Sequence, residues 1–180
     1  IGFIAHLDTA DVGLSAIMIA AALGARVIAI DIEDDKLEFA RSIGAEAVIN
    51  SVNSDPAEAI LDLTEGGAHI SIDAIGHPKV VLDSISSLCK RGKHIQIGIM
   101  EAGKHSAAVP VDKIIGRELE IIGSHGMQAH RYPEMLEMIR SGRLDPKVLV
   151  GNVTDLEQAC SELRLMDKFT GIGVTVIDQF

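Results

Sequence analysis

The sequence predicts an α/β fold, a doubly wound parallel sheet, and three observations carry that prediction. Short β-branched runs alternate along the chain with segments of helical periodicity. Most of these runs are continuously apolar rather than alternating, as strands buried on both faces require. The core has to be aliphatic, because Trp is absent and Tyr132 plus 4 Phe are the only aromatics in a chain that is 47% hydrophobic. Together these features imply βαβ units, right-handed crossovers and helices on both faces of one sheet.

The elements follow in order. Strands are expected at Gly2–Ala5, Arg26–Ile30, Ala47–Ile49, His69–Ala74, His94–Gly98 and Glu118–Gly123. Helices are expected between them at Leu14–Leu23, Asp35–Ile43, Pro56–Leu63 and Pro78–Leu88. The second shows its apolar stripe at Leu37, Ala40 and Ile43, and Gly44 supplies a stop. Residues 12–30 are apolar enough to suggest a membrane span, but Gly24 and Arg26 interrupt them. Ala, Leu and Met before that break favour helix, and Val27–Ile30 after it favour a buried strand. Beyond the sixth strand, a helix is expected over Tyr132–Ser141 with Pro133 in its first turn. Thr154-Asp155-Leu156-Glu157 has capping-box form, predicting a helix to about Met166. Ile172–Ile177 closes the chain as a strand. Six strands in this sequence imply the order 3-2-1-4-5-6, the Rossmann topology, with a C-terminal helix and strand extension.

Composition narrows the function classes. A formal charge of −10 over 180 residues disfavours nucleic acid and anionic membrane as partners, since neither is attracted to a negative surface. The 2 cysteines, Cys89 and Cys160, form no metal-ligand pair by spacing and read as small core residues of a protein from a reducing, cytoplasmic compartment. The histidines (His6, His69, His77, His94, His105, His125 and His130) show no i, i+4 ligand pair, and loop or strand-end polar roles are expected for them. No catalytic residue and no metal ligand is named from the sequence. The chain opens on Ile1 inside an apolar run with no basic segment before it, so it is expected to be a piece of a longer protein.

Asp31 is the most informative single residue. It follows Val27–Ile30 at the end of the second strand, where a doubly wound sheet meets its ligand. An acid there accepts hydrogen bonds from the adenosine ribose hydroxyls and repels a 2′-phosphate, which favours NAD over NADP. Lys36, at the start of the next helix, is placed to reach the same ribose. The competing reading is a solvated acid or helix cap in the cluster Asp31-Ile32-Glu33-Asp34-Asp35. The glycine loop that should precede the first helix is incomplete. Counting back from Gly13, the glycine places of G-x-G-x-x-G hold Asp8 and Ala10, and only Gly13 remains. An acid beside a pyrophosphate opposes binding, and its Cβ disfavours the positive φ of the turn.

From Val12 onward the chain resembles the coenzyme-binding half of zinc-dependent, medium-chain alcohol dehydrogenases. The segments that carry the resemblance are Val12-Gly13-Leu14-Ser15-Ala16, Gly24–Asp31 with Lys36, Gly44-Ala45, Asp73-Ala74-Ile75-Gly76, Gly92–Gly98 and Arg117–Ser124. The resemblance implies a single dinucleotide-binding domain over 1–180, with 147–180 a return segment toward a separate zinc-carrying catalytic domain. It implies NAD as cofactor, with zinc belonging to the parent family only. Position by position, Gly13, the surviving third glycine, would belong to the cofactor-binding loop, and Asp31 with Lys36 would hold the ribose. Ala74, Ile75 and Gly76 would line the adenine and ribose side, and Ile97, Gly98 and Ile99 would flank the nicotinamide. In family dimers the segment matching Ser106–Val109 pairs with its own copy, so a homodimer through it is expected, with a polar surface loop as the alternative. The patch Ser124–His130 would approach the cofactor or form the turn into the next helix.

The first eleven residues, IGFIAHLDTAD, instead resemble the metal-ligand segment of zinc tripeptidases, with His6 and Asp8 as the matching His-x-Asp pair. Zinc needs three or four ligands, and no further segment of that kind follows. The N-terminus therefore reads as replaced or mis-joined sequence. Three functions follow: an NAD-binding domain of a zinc-dependent alcohol dehydrogenase, inactive alone; a scaffold or dimerisation module that no longer binds dinucleotide; and, remotely, a zinc peptidase fragment.

Overall fold

The computed structural model describes residues 2–6, 11–100, 107–165 and 171–179. Its main sheet contains β1 (Gly2–His6), β2 (Arg26–Asp31), β3 (Ala47–Asn50), β4 (Ala68–Asp73), β5 (Leu88–Gln96) and β6 (Glu120–Gly123). The strands lie in the order β3-β2-β1-β4-β5-β6, and every neighbouring pair is parallel. This is the predicted doubly wound topology. Its strand order reverses between β1 and β4, the place where such sheets open a crevice at their C-terminal edge.

Crossover helices α1 (Asp11–Ala22), α2 (Asp34–Ser42), α3 (Pro56–Thr64), α4 (Pro78–Ser86) and α5 (Val111–Arg117) link the strands. Local chemistry explains where they start. Asp34 and Asp35 occupy the first turn of α2 and Arg41 the last, complementing the helix dipole. Asp55 caps α3 by accepting the Glu58 N–H at 3.0 Å, and Pro56 opens that helix. Gly44 turns the chain after α2 at φ +118, and a Cβ there would lie 2.5 Å from Cβ of Ala21.

The helices bury two faces. Leu14, Ile17, Leu37 and Ala40 of α1 and α2 pack on Val27, Ala29 and Ile72. On the opposite face, Ile60 of α3 covers Ile28, Ile30 and Ile49, while Val81 and Ile85 of α4 cover Leu88 and Leu119. Val27–Ile30 is therefore buried alternately on both sides, which is why it reads as an unbroken apolar run. Residues 12–30 divide as expected into helix, a turn at Gly24 (φ +80) and strand. Among the described residues no helix is long and apolar enough to cross a membrane.

After β6 come α6 (Tyr132–Arg140), β7 (Val150–Asp155), α7 (Leu156–Leu165) and β8 (Val174–Gln179). β7 and β8 form a separate two-stranded parallel sheet.

Several expectations need correction. β5 spans Leu88–Gln96, so Leu88 and Cys89 belong to a strand rather than to the end of α4. Its first half carries Lys90, Arg91 and Gly92, with Arg91 at φ 62 and a register shift opposite Ala68/Ile70, which masks it as a turn. β6 begins at Glu120, because Glu118 adopts φ 52 and caps α5. α5 and β7 were not expected. The cap of α7 lies one residue later than the capping box suggests: Asp155 accepts from the Gln158 N–H at 2.8 Å. Cys160 is exposed and Cys89 half-buried, so neither is a core residue.

Candidate functional site

Register brings the strand ends to one edge. His6 pairs with Ile30 on one side and Asp73 on the other, Asp31 pairs with Asn50, Asp73 with Gln96, and Gln96 with Gly123. The predicted site residues fall on the loops that leave this edge, at two corners.

The first corner is Asp31, 7% exposed at the end of β2. Its Oδ1 accepts the N–H groups of Ile32 (2.7 Å) and Glu33 (2.9 Å). Among the described residues no donor reaches its Oδ2. Burial raises the Asp31 pKa above the ordinary carboxylate value, opposed by the Glu33 amide and by the charge of Lys36. Lys36 is 5% exposed and its Nζ ion-pairs with Glu33, so its stem is packed and its charge stays beside Asp31. Asn50 closes the corner by donating to Asp34 Oδ1 at 2.7 Å.

The second corner is built on Asp73, which is fully buried. Its Oδ1 accepts the N–H groups of Ile75 (2.7 Å) and Gly76 (2.9 Å). Its Oδ2 accepts from Nε2 of Gln96 at 3.0 Å, and its backbone carbonyl accepts from Ile97 N (2.9 Å) and Gly98 N (2.8 Å). The loops 74–76 and 97–99 then press directly on each other. Gly76 sits at φ +82, and a Cβ on it would lie 2.5 Å from the Ile99 carbonyl carbon; a Cβ on Gly98 would lie 2.5 Å from the Ile75 carbonyl carbon. Both glycines are required by this approach of backbone to backbone. Ala74 and Gly76 are buried, Ile75, Ile97 and Gly98 half-buried, and Ile99 is 79% exposed. Ile99 thus presents its apolar side chain to the edge.

Gly13 is buried in the first turn of α1, whose N-terminus faces the same edge as the end of β1. Asp8 and Ala10 lie outside the described residues, as do Ile1 and Ser106. Ala107–Pro110 has no regular structure, and the 3₁₀ turn Ala129–Arg131 leads from Ser124–His130 into α6. Among the described residues no three His, Cys, Asp or Glu side chains converge to hold a metal ion.

The sequence reading missed Gln96 and the part played by His94. His94 is 1% exposed in mid-strand rather than at a loop or strand end. The signal was present: Ser71 and Asp73 on one strand and His94 and Gln96 on the next place polar residues at period two, alternating with Ile72 and Ile95.

Residues 12–141 match the family described as zinc-binding dehydrogenase. The chain belongs to that family. The match starts at Val12, where the sequence resemblance also starts. Among curated relatives, the NAD-dependent alcohol dehydrogenase of Sulfurisphaera tokodaii is 30% identical over 168 residues, covering 92% of this chain and 47% of that protein. The erythritol/L-threitol dehydrogenase of Mycolicibacterium smegmatis is 35% identical over 123 residues, 66% of this chain and 32% of that protein. The crystal structure of benzyl alcohol dehydrogenase from Acinetobacter calcoaceticus superposes with TM-score 0.89 at 26% identity, over 99% of this chain and 49% of that one. The chain spans about half the length of the Sulfurisphaera tokodaii and Acinetobacter calcoaceticus proteins. The resemblance to zinc-dependent alcohol dehydrogenases is therefore a family membership, and the fold is that of their coenzyme-binding half.

Proposed function

We propose that this domain binds NAD along the C-terminal edge of its sheet, as the coenzyme half of an alcohol dehydrogenase whose zinc ligands belong to a separate domain. One observation carries the reading. Two backbone amides fix the Asp31 carboxylate through Oδ1, while Oδ2 has no donor among the described residues, so an acceptor is left for a ribose hydroxyl. The residues present fit the adenosine end of a dinucleotide: a held acid at the end of β2 and a cation beside it in Lys36.

Within this reading Asp31 orients the ribose and excludes a 2′-phosphate by charge. Gly13, at the third glycine place, lets α1 pack close to the sheet, so that the helix N-terminus would face the pyrophosphate. Ile97 and Ile99 supply an apolar wall for the nicotinamide ring, keeping water from its face. Bound at this edge, NAD would supply the hydride acceptor for an alcohol carbon. No step is assigned to zinc on this chain, and the 180 residues by themselves are proposed to be inactive. A homodimer through Ser106–Val109 and a cytoplasmic setting, which suits the free thiols Cys89 and Cys160, complete the proposal.

A second reading has its own observation. Asp8 and Ala10 hold the first two glycine places of the loop, and the resemblance implies a further glycine at Asp11, so the fold would be kept and dinucleotide binding lost. Calorimetric titration with NAD separates the two. Heat of binding supports the first; a silent titration supports the second. In that case, replacing Asp8, Ala10 and Asp11 together by Gly should restore binding, and continued silence would refute the loop as the cause.

A further inference from the structure

Behind the Asp73 corner lies a closed chain of polar groups. Gln96 Nε2 faces two acceptors, Asp73 Oδ2 at 3.0 Å and the Gly98 carbonyl at 2.8 Å, so its amide orientation is determined. Its Oε1 must then accept, and the group opposite it is His94 Nε2 at 3.1 Å, which therefore carries the proton. His94 Nδ1 is left as an acceptor and meets the Ser71 hydroxyl at 3.0 Å. Every member is satisfied in one arrangement only: Ser71 donates to His94, His94 to Gln96, and Gln96 to both Asp73 and Gly98. Burial, the largest effect on it, lowers the His94 pKa and keeps the ring neutral, in keeping with this tautomer.

The chain ends on both loops of the edge. Asp73 holds the amides of loop 74–76, Gln96 holds the carbonyl of loop 97–99, and the two are joined by the Gln96–Asp73 bond. We propose that Gln96, oriented by His94, is a positioning residue that fixes the spacing of loops 74–76 and 97–99 and so pre-forms the dinucleotide edge, an inference that rests on the NAD reading above. A site held to a fraction of an ångström binds without first ordering its loops, which is where such a clamp acts.

The test uses Gln96→Glu and Gln96→Met in the full 180-residue chain. At neutral pH Gln96→Glu sets a carboxylate against Asp73 Oδ2 and the Gly98 carbonyl, with no donor for either. Protonating the introduced carboxyl restores one donor while its other oxygen still accepts from His94. The charged and titratable groups around the introduced carboxyl are His94, in direct contact, with Lys90, Arg91 and Lys93 on β5 itself, His69 and Asp73 on β4, Glu120 on β6 paired with Lys93, Asp83 paired with Lys79 on α4, and Asp112, Lys113 and Arg117 on α5. All of these are shared by the wild-type chain, which serves as the pH control.

We expect amide protection at Ile75, Gly76 and Gly98 in Gln96→Glu to fall about tenfold at neutral pH while amides in β2 and β3 keep theirs. NAD affinity should fall by a similar factor, and both should recover as pH is lowered, relative to wild type. Gln96→Met should show the same loss without recovery. Unchanged protection at the three amides, or a loss that acid does not reverse in Gln96→Glu, would overturn the inference. Absence of NAD heat in the wild-type chain would instead defeat the dinucleotide reading, and the protection factors would still decide whether Gln96 sets the loops.

Discussion

Asp31 and Asp73 end β2 and β4 on either side of β1, and at first sight they are the same device. Each uses Oδ1 to gather two backbone amides from the loop that follows, at 2.7 and 2.9 Å in both cases. They differ in the second oxygen. Asp73 gives Oδ2 to Gln96 and its carbonyl to Ile97 and Gly98, so it is spent on the protein. Asp31 has no further donor among the described residues. One residue type at one kind of position therefore spends both side-chain oxygens on the protein at one corner and only one at the other, the second being the acceptor proposed for the ribose. The number of acceptor sites already used distinguishes them, since burial alone does not.

The largest effect should come from removing the structural acid. Asp73→Ala leaves three donors, the Ile75 and Gly76 amides and Gln96 Nε2, without their acceptor, and a loss of about 3–5 kcal/mol is expected in urea unfolding. A change under 1 kcal/mol would place the loops' support elsewhere. Gly98→Ala comes next. Its Cβ would run into the backbone of loop 74–76, costing about 1–3 kcal/mol, read as a lowered thermal midpoint. Asp31→Ala should do little to stability, within about 1 kcal/mol, because the two amides it releases belong to the exposed Ile32 and Glu33 and the buried charge is removed with them.

The smallest effect is a pH dependence with opposite signs at the two corners. His94 is depressed in the folded state, so its contribution is fully present above the unfolded pKa and is lost as pH falls through the folded value. Asp31 is raised, so its contribution is present below the unfolded carboxylate pKa and is lost as pH rises through the folded value. Thermal unfolding between about pH 4 and 7 should therefore show a steeper acid loss in Asp31→Asn and a shallower one in His94→Gln. Identical slopes in all three proteins would contradict both assignments.

How much of this was legible follows from the same chemistry. The sheet order was legible because crossover helices with clear stops separate apolar strands, as at Gly24 and Gly44. The strand-end position of Asp31 was legible because the apolar run Val27–Ile30 stops at it. β7 was not, because Gly151 and Asn152 interrupt it and its only strand partner among the described residues is β8. α5 was hidden by its brevity after Pro110. The Asp73 network was hidden for a different reason: it is made across strands by residues 23 positions apart, and no window along the sequence contains both ends.

The central claim is that Asp31 is held ready for a ribose, and one comparison tests it directly. Calorimetric titration of wild type and Asp31→Ala with NAD and with NADP should show wild type preferring NAD by at least about tenfold. In Asp31→Ala, NAD affinity should drop and the preference should disappear. Equal affinity for the two dinucleotides in wild type, or NAD binding unaltered by Asp31→Ala, would contradict the account.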